Sequence, residues 1–152
     1  MKADFIHLFS SDSRQRWFCR EFFYNEVNNM RKTITVGTIE LEVEANMASA
    51  ELYRKMTQRD WDMDLVSISR MNSENREEMA LKIIDLTKHM AFVMATQAKF
   101  YEEPRKQIAM MSEEDYIIWL SQFGPRDFNQ DVYLDILKLW RDQNTTTSEA
   151  KN

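Results

Sequence analysis

The sequence predicts an α+β fold, mainly α, in which an N-terminal β-hairpin at about residues 33–44 packs on about five helices. Three observations carry that expectation. Only two Gly and two Pro occur in 152 residues, so few positions are suited to turns and most of the chain must be helical. One stretch alternates apolar and polar residues with the period of a strand, and from Met47 onward the period becomes helical. The 43% hydrophobic content is enough for a core, and a chain of this length buries roughly two-thirds of its unfolded surface in one domain.

The hairpin reads from Thr33 to Glu44. A two-residue turn at Gly37-Thr38 pairs Val36 with Ile39 and Ile34 with Leu41. Ile34, Val36, Ile39, Leu41 and Val43 then share one face, while Glu40, Glu42 and Glu44 share the other and are expected to face solvent. Gly37 in the first turn position suits a type II′ turn, which needs a positive φ there. An isolated hairpin is marginal in water, so the apolar face must lie on helices.

The helices follow in order. Met47, Ala50, Tyr53 and Met56 are spaced for a helix over 47–57, and Trp61, Leu65 and Ile68 for a second short one. A long helix is expected from about Asn75 to Phe100, capped by Asn72 or Ser73 and ended or interrupted by Pro104. Ser112 to Asp115 resembles a capping box that opens a helix bearing Tyr116, Ile117, Trp119, Leu120 and Phe123, with Gly124-Pro125 closing it. A last helix runs from about Phe128 to Arg141. The domain thus spans 30–143, and residues 144–152, which hold no large apolar group, are expected to form a disordered polar tail.

Residues 1–29 differ in composition, with Phe5, Phe9, Trp17, Phe18, Phe22, Phe23 and Tyr24 among Arg14, Arg16 and Arg20. Their charges cancel, leaving the whole net charge of -5 in residues 30–152. Two alternatives stay open: an aromatic helix docked on the body or on a partner, or an extension upstream of a domain that starts at Met30.

Catalytic patterns are scarce, and the expectation is a protein that is not an enzyme and carries no cofactor or metal. His7 and His89 are the only histidines. His89 follows Asp85 by four residues, which is either a base held by a carboxylate or, more plainly, a histidine on a polar helix face. Cys19 has arginines nearby but no histidine, so an incidental thiol is the simpler account. Asp60, Asp62 and Asp64 alternate without the glycine and the final glutamate that a calcium loop of the EF type needs. Two distant glycines make no phosphate loop. The acidic balance argues against nucleic acid, and no stretch approaches the roughly 20 apolar residues needed to cross a membrane. One cysteine and no signal peptide point to a reducing, cytosolic setting.

Binding to another protein is then the expected role. Eleven methionines are either ordinary core filling or an adaptable surface for apolar helices. The candidate partner-binding residues are Met90, Met94, Met110, Met111, Trp119 and Phe123, with Met110-Met111 the pair most expected to be exposed.

From Met30 onward the order of elements resembles the tail assembly chaperones of long-tailed bacteriophages and prophages of Gram-positive bacteria. The pieces that carry the resemblance are the hairpin Ile34–Val43, the Ala48–Thr57 helix with Leu52-Tyr53-Arg54, and Arg59-Asp60-Trp61 leading to Asp64-Leu65. After them come Met90-Ala91-Phe92-Val93-Met94-Ala95, Trp119-Leu120 before Phe123, and Ile136-Leu137-Lys138-Leu139-Trp140. The resemblance is a pattern over about four-fifths of the chain, not a signature motif. It implies a protein of the host bacterial cytoplasm, absent from the mature virion, that coats the tape measure protein, recruits tail tube subunits and self-associates along its client. It also implies a longer form made by ribosomal frameshifting, for which the Lys151-Asn152 ending leaves room. A small helical DNA-binding or regulatory phage protein is the alternative, and it would need a basic recognition helix that does not stand out here. A small enzyme using Cys19 is a third.

Overall fold

The computed structural model describes residues 31–149. The expectations for residues 1–29, with Cys19 and His7, and for residues 150–152 lie outside the described residues. The described part is α+β and mainly α: one two-stranded antiparallel sheet followed by helices.

Strand β1 (Arg31–Val36) pairs with β2 (Ile39–Glu44) in the register that the alternation sets, Val36 with Ile39 and Ile34 with Leu41. Gly37 has φ 64°, and among described non-glycine residues only Gln58 has a positive φ. Thr38 therefore keeps a negative φ, which is the type II′ pattern. Gly37 is required for a second reason. The Asp127 carboxylate occupies the space that a β-carbon at Gly37 would need, and it also accepts the Gly124 N–H at 2.7 Å. The hairpin turn is thereby seated on the loop that precedes the last helix.

Ile34, Val36 and Val43 are buried, with Leu41 packed at the margin of the core. Of the three glutamates, Glu40 and Glu42 are exposed, but Glu44 is only 2% exposed, which corrects its expected place in solvent. The cause is the register. Arg31 lies opposite Glu44, its guanidinium 3.3 Å from the carboxylate, and donates a second hydrogen bond of 3.2 Å to the carbonyl of Ala98 on the long helix. Burial pushes the Glu44 carboxyl above its ordinary value, with Arg31 and Asn46 pulling the other way.

Six α-helices follow in the described residues. Helix α1 (Ala48–Thr57) ends in a left-handed Gln58, and α2 (Trp61–Ser69) is capped by Asp60, whose carboxylate accepts the Met63 N–H at 3.0 Å. A 3-10 turn (Ser73–Asn75) leads into α3 (Arg76–Lys99), where every residue from Met90 to Ala98 is buried. The hairpin, α1 and the last helix all pack against α3. A helix enclosed in this way cannot show a one-sided apolar stripe.

Pro104 does not end the long helix, which stops at Lys99; it opens a short helix, α4 (Pro104–Ala109). Proline is at home in a first turn, where its missing N–H has no partner to lose. Helix α5 (Glu113–Leu120) is capped as expected: Ser112 accepts the Asp115 N–H at 3.1 Å and donates to its carboxylate at 2.6 Å. It ends at Leu120, so Phe123 and Gly124-Pro125 belong to the connecting loop and do not close the helix. Helix α6 (Gln130–Glu149) begins where Asn129 accepts the N–H groups of Asp131 and Val132. It continues through residues 144–149, which were expected to be disordered. A helix already nucleated by packing elongates at little further cost, even through polar residues.

Aromatic rings fill the core between these helices. Trp61 meets Tyr53 and Trp140 edge-on, with centroids 5.6 and 6.2 Å apart. Met90, Met94 and Met111 are buried and serve as core filling, which corrects their assignment to a partner surface. No helix of the described residues is long and apolar enough to cross a membrane.

Candidate partner-binding site

An open groove of about 520 Å³ runs between β2, the C-terminal half of α3 and α5. Leu41, Phe92, Phe100, Met110, Ile118 and Trp119 give it an apolar lining, and Glu42, Asp115 and Lys99 add charge. Trp119 is held in place by three rings, Phe92 at 5.4 Å, Phe123 at 4.8 Å and Phe128 at 5.9 Å. Phe123 in turn meets Phe128 at 5.0 Å. Such packing makes the wall rigid before any partner arrives, which lowers the ordering cost of binding.

Of the six residues singled out in the sequence, Met110 and Trp119 line this groove, and Phe123 braces Trp119. Met90, Met94 and Met111 are not on it. Exposed apolar residues on α4 and α5 were missed. Ile118 is 62% exposed, Ile117 57% and Ile108 46%. Adjacent isoleucines on an eight-residue helix that also carries Tyr116, Trp119 and Leu120 cannot all face one core. That crowding was a readable signal of an apolar surface.

A polar cluster lies on the same face of α3 as Phe92, nearer the start of the helix, where Tyr116 meets both Phe92 and His89. The Tyr53 hydroxyl donates to Asp64 at 2.6 Å, and Arg59 reaches Tyr53, Asp85 and Asp64 at 3.0, 2.9 and 3.3 Å. His89 lies between these groups and α5. Its Nδ1 is 2.8 Å from the Asp85 carbonyl, which can only accept, so this nitrogen carries a proton. The same nitrogen is 3.3 Å from the Asp85 carboxylate, and the imidazole stacks on Tyr116 with centroids 4.3 Å apart. His89 therefore does meet the carboxylate four residues before it, and it is also sandwiched, not spread on an open helix face.

Burial raises the Tyr53 phenol, with the hydrogen bond to Asp64 adding to it, and burial with the Asp85 charge does the same to Tyr116. Neither phenol is poised as a base at neutral pH. Asp85 moves the opposite way: the hydrogen bond from His89, and then that from Arg59, overcome partial burial and hold its carboxyl at about 2. The cluster ties α1, α2, α3 and α5 together. Among the described residues, no group of three His, Cys, Asp or Glu is placed to hold a metal ion.

A carboxyl held below its unfolded value stabilises the fold above that value and loses the effect as pH falls toward the folded one. Asp85→Asn is thus expected to flatten the acid limb of stability between about pH 4 and pH 2. Urea midpoints measured across that range test this. Because Asp85 is half exposed, the difference should stay below ~1 kcal/mol.

The chain matches no protein-family model, no curated protein and no solved structure. The groove and the exposed Ile118 at its rim are therefore the guide to function.

Proposed function

We propose that this protein is a tail assembly chaperone of the bacteriophage type. It binds the tape measure protein in the host bacterial cytoplasm, helps recruit tail tube subunits and is absent from the mature virion. The observation that carries this is the groove lined by Phe92 and Trp119 with Ile118, 62% exposed, at its rim, while Ile108 and Ile117 are further exposed apolar residues of α4 and α5. An exposed isoleucine at the rim of an apolar hollow suits the apolar face of another protein. The acidic balance keeps a chain with such a surface dispersed. The order of elements that resembles the chaperones names the partner.

Co-expression with the tape measure protein of the same genome tests the proposal. The expected result is a soluble complex with many copies of this chain, lost when Ile117 and Ile118 are both changed to Asp. Exposed positions leave the fold intact, and loss of central apolar contacts costs about 2 kcal/mol or more of binding. A tape measure protein that aggregates regardless, with this chain eluting alone, would remove the chaperone assignment.

A further inference from the structure

The groove has a feature that an apolar patch alone does not require: it runs along the free edge of a strand. Leu41 and Glu42 both line it, although successive residues of a strand point to opposite faces. No residue of β1 lines it, so the groove passes the edge of β2 that faces away from β1. In a two-residue hairpin the pair flanking the turn exchanges both hydrogen bonds, and the pairs then alternate. Val36 with Ile39 and Ile34 with Leu41 are thus the bonded pairs. Glu40 and Glu42, opposite Thr35 and Thr33, direct their own N–H and C=O groups away from β1, those of Glu42 at the groove. Among the described residues, no backbone hydrogen bond outside the hairpin ladder involves them.

We propose that this edge accepts an extended segment of another protein, one that alternates apolar and basic residues. The added strand takes up the outward backbone groups of Glu40 and Glu42. Its apolar side chains enter the hollow beside Phe92, Phe100 and Trp119. Its basic side chains fall on the other face, beside the exposed carboxylates of Glu40 and Glu42. Charge decides against a second copy paired through the same edge, because two-fold pairing of β2 with β2 sets these glutamates next to glutamates. The inference rests on the groove being a partner surface and does not depend on the partner being a phage protein.

The test uses the full chain and two synthetic peptides of about ten residues, long enough to span a strand. One alternates valine with lysine; the other places leucines at helical spacing among lysines. The expected result is saturable binding of the alternating peptide with at least about tenfold slower amide exchange at Glu40 and Glu42, since amides in a ladder are protected. Changing both glutamates to Lys should weaken that peptide about tenfold, as two opposite-charge pairs become like pairs. Glu42→Pro removes one outward donor and spares the bonds to β1, so it should abolish binding with the unfolding midpoint nearly unchanged. Binding of the helical peptide alone, without protection at Glu40 and Glu42, would overturn strand addition and leave the groove as a helix site. Protection of these amides in a dimer of the free chain would overturn it in favour of a second copy. No binding of either peptide would overturn it together with the groove as a partner surface.

Discussion

Phe92→Ala is expected to destabilise the fold by about 3–5 kcal/mol, the usual cost of emptying a buried aromatic site. Phe92 is buried in the enclosed half of α3. Its ring touches Tyr116 at 5.5 Å and Trp119 at 5.4 Å, which are the contacts that seat α5 on the long helix. The cavity cannot collapse easily, because α3 is hemmed in by the hairpin and by α1 and α6. Urea unfolding followed by tryptophan fluorescence measures the loss. The same change withdraws one of the three rings that hold Trp119, so the groove wall should loosen as stability falls. Phe92→Leu keeps most of the volume and should cost less than half as much. A small loss for Phe92→Ala would mean that α5 is not anchored through this ring.

Arg31→Met is the second large effect, at about 3 kcal/mol, because it leaves the Glu44 carboxylate buried without its cation. The figure is at the low end for a broken buried pair, since the Arg31 side chain is 28% exposed. Two further measurements separate charge from packing. Arg31→Met combined with Glu44→Gln should recover more than half of the loss, as no buried charge then remains. The pH dependence has the opposite sign from that of Asp85. Burial already raises the Glu44 carboxyl in the folded state, and removing Arg31 takes away the cation that opposes it. A carboxyl with a raised folded value makes the protein more stable as it takes up its proton. The Arg31→Met variant should therefore regain stability as pH falls from neutral toward the ordinary carboxyl range. A loss that is unchanged in the double variant and flat with pH would assign the effect to the Arg31 contact with Ala98 or Tyr101.

The groove was legible only in part. Trp119 and Met110 were among the residues named for partner binding, and both line it. Met90 and Met94 were read the same way and proved to be core. Methionine is equally at ease inside and outside, so its identity does not reveal which side of a central helix it takes. Ile117 was read simply as a helix apolar residue and Ile118 was passed over, although their adjacency was the better clue.

By itself the sequence determined the hairpin, its register and its turn. Strand alternation and the demand for a positive φ at Gly37 are local, and both act within a dozen residues. It determined the Ser112 cap for the same reason, since a side chain three residues from its partner needs nothing else to find it. What the tertiary structure alone decided was every question of sides. Glu44 is buried because Arg31 and the end of α3 meet it there, although Glu40 and Glu42 with the same parity are exposed. Pro104 opens a helix because the long one had already ended at Lys99, and α6 outlasts its apolar residues because packing had nucleated it. Periodicity within one element says which residues share a face, but only the neighbours packed against that face decide whether it meets water.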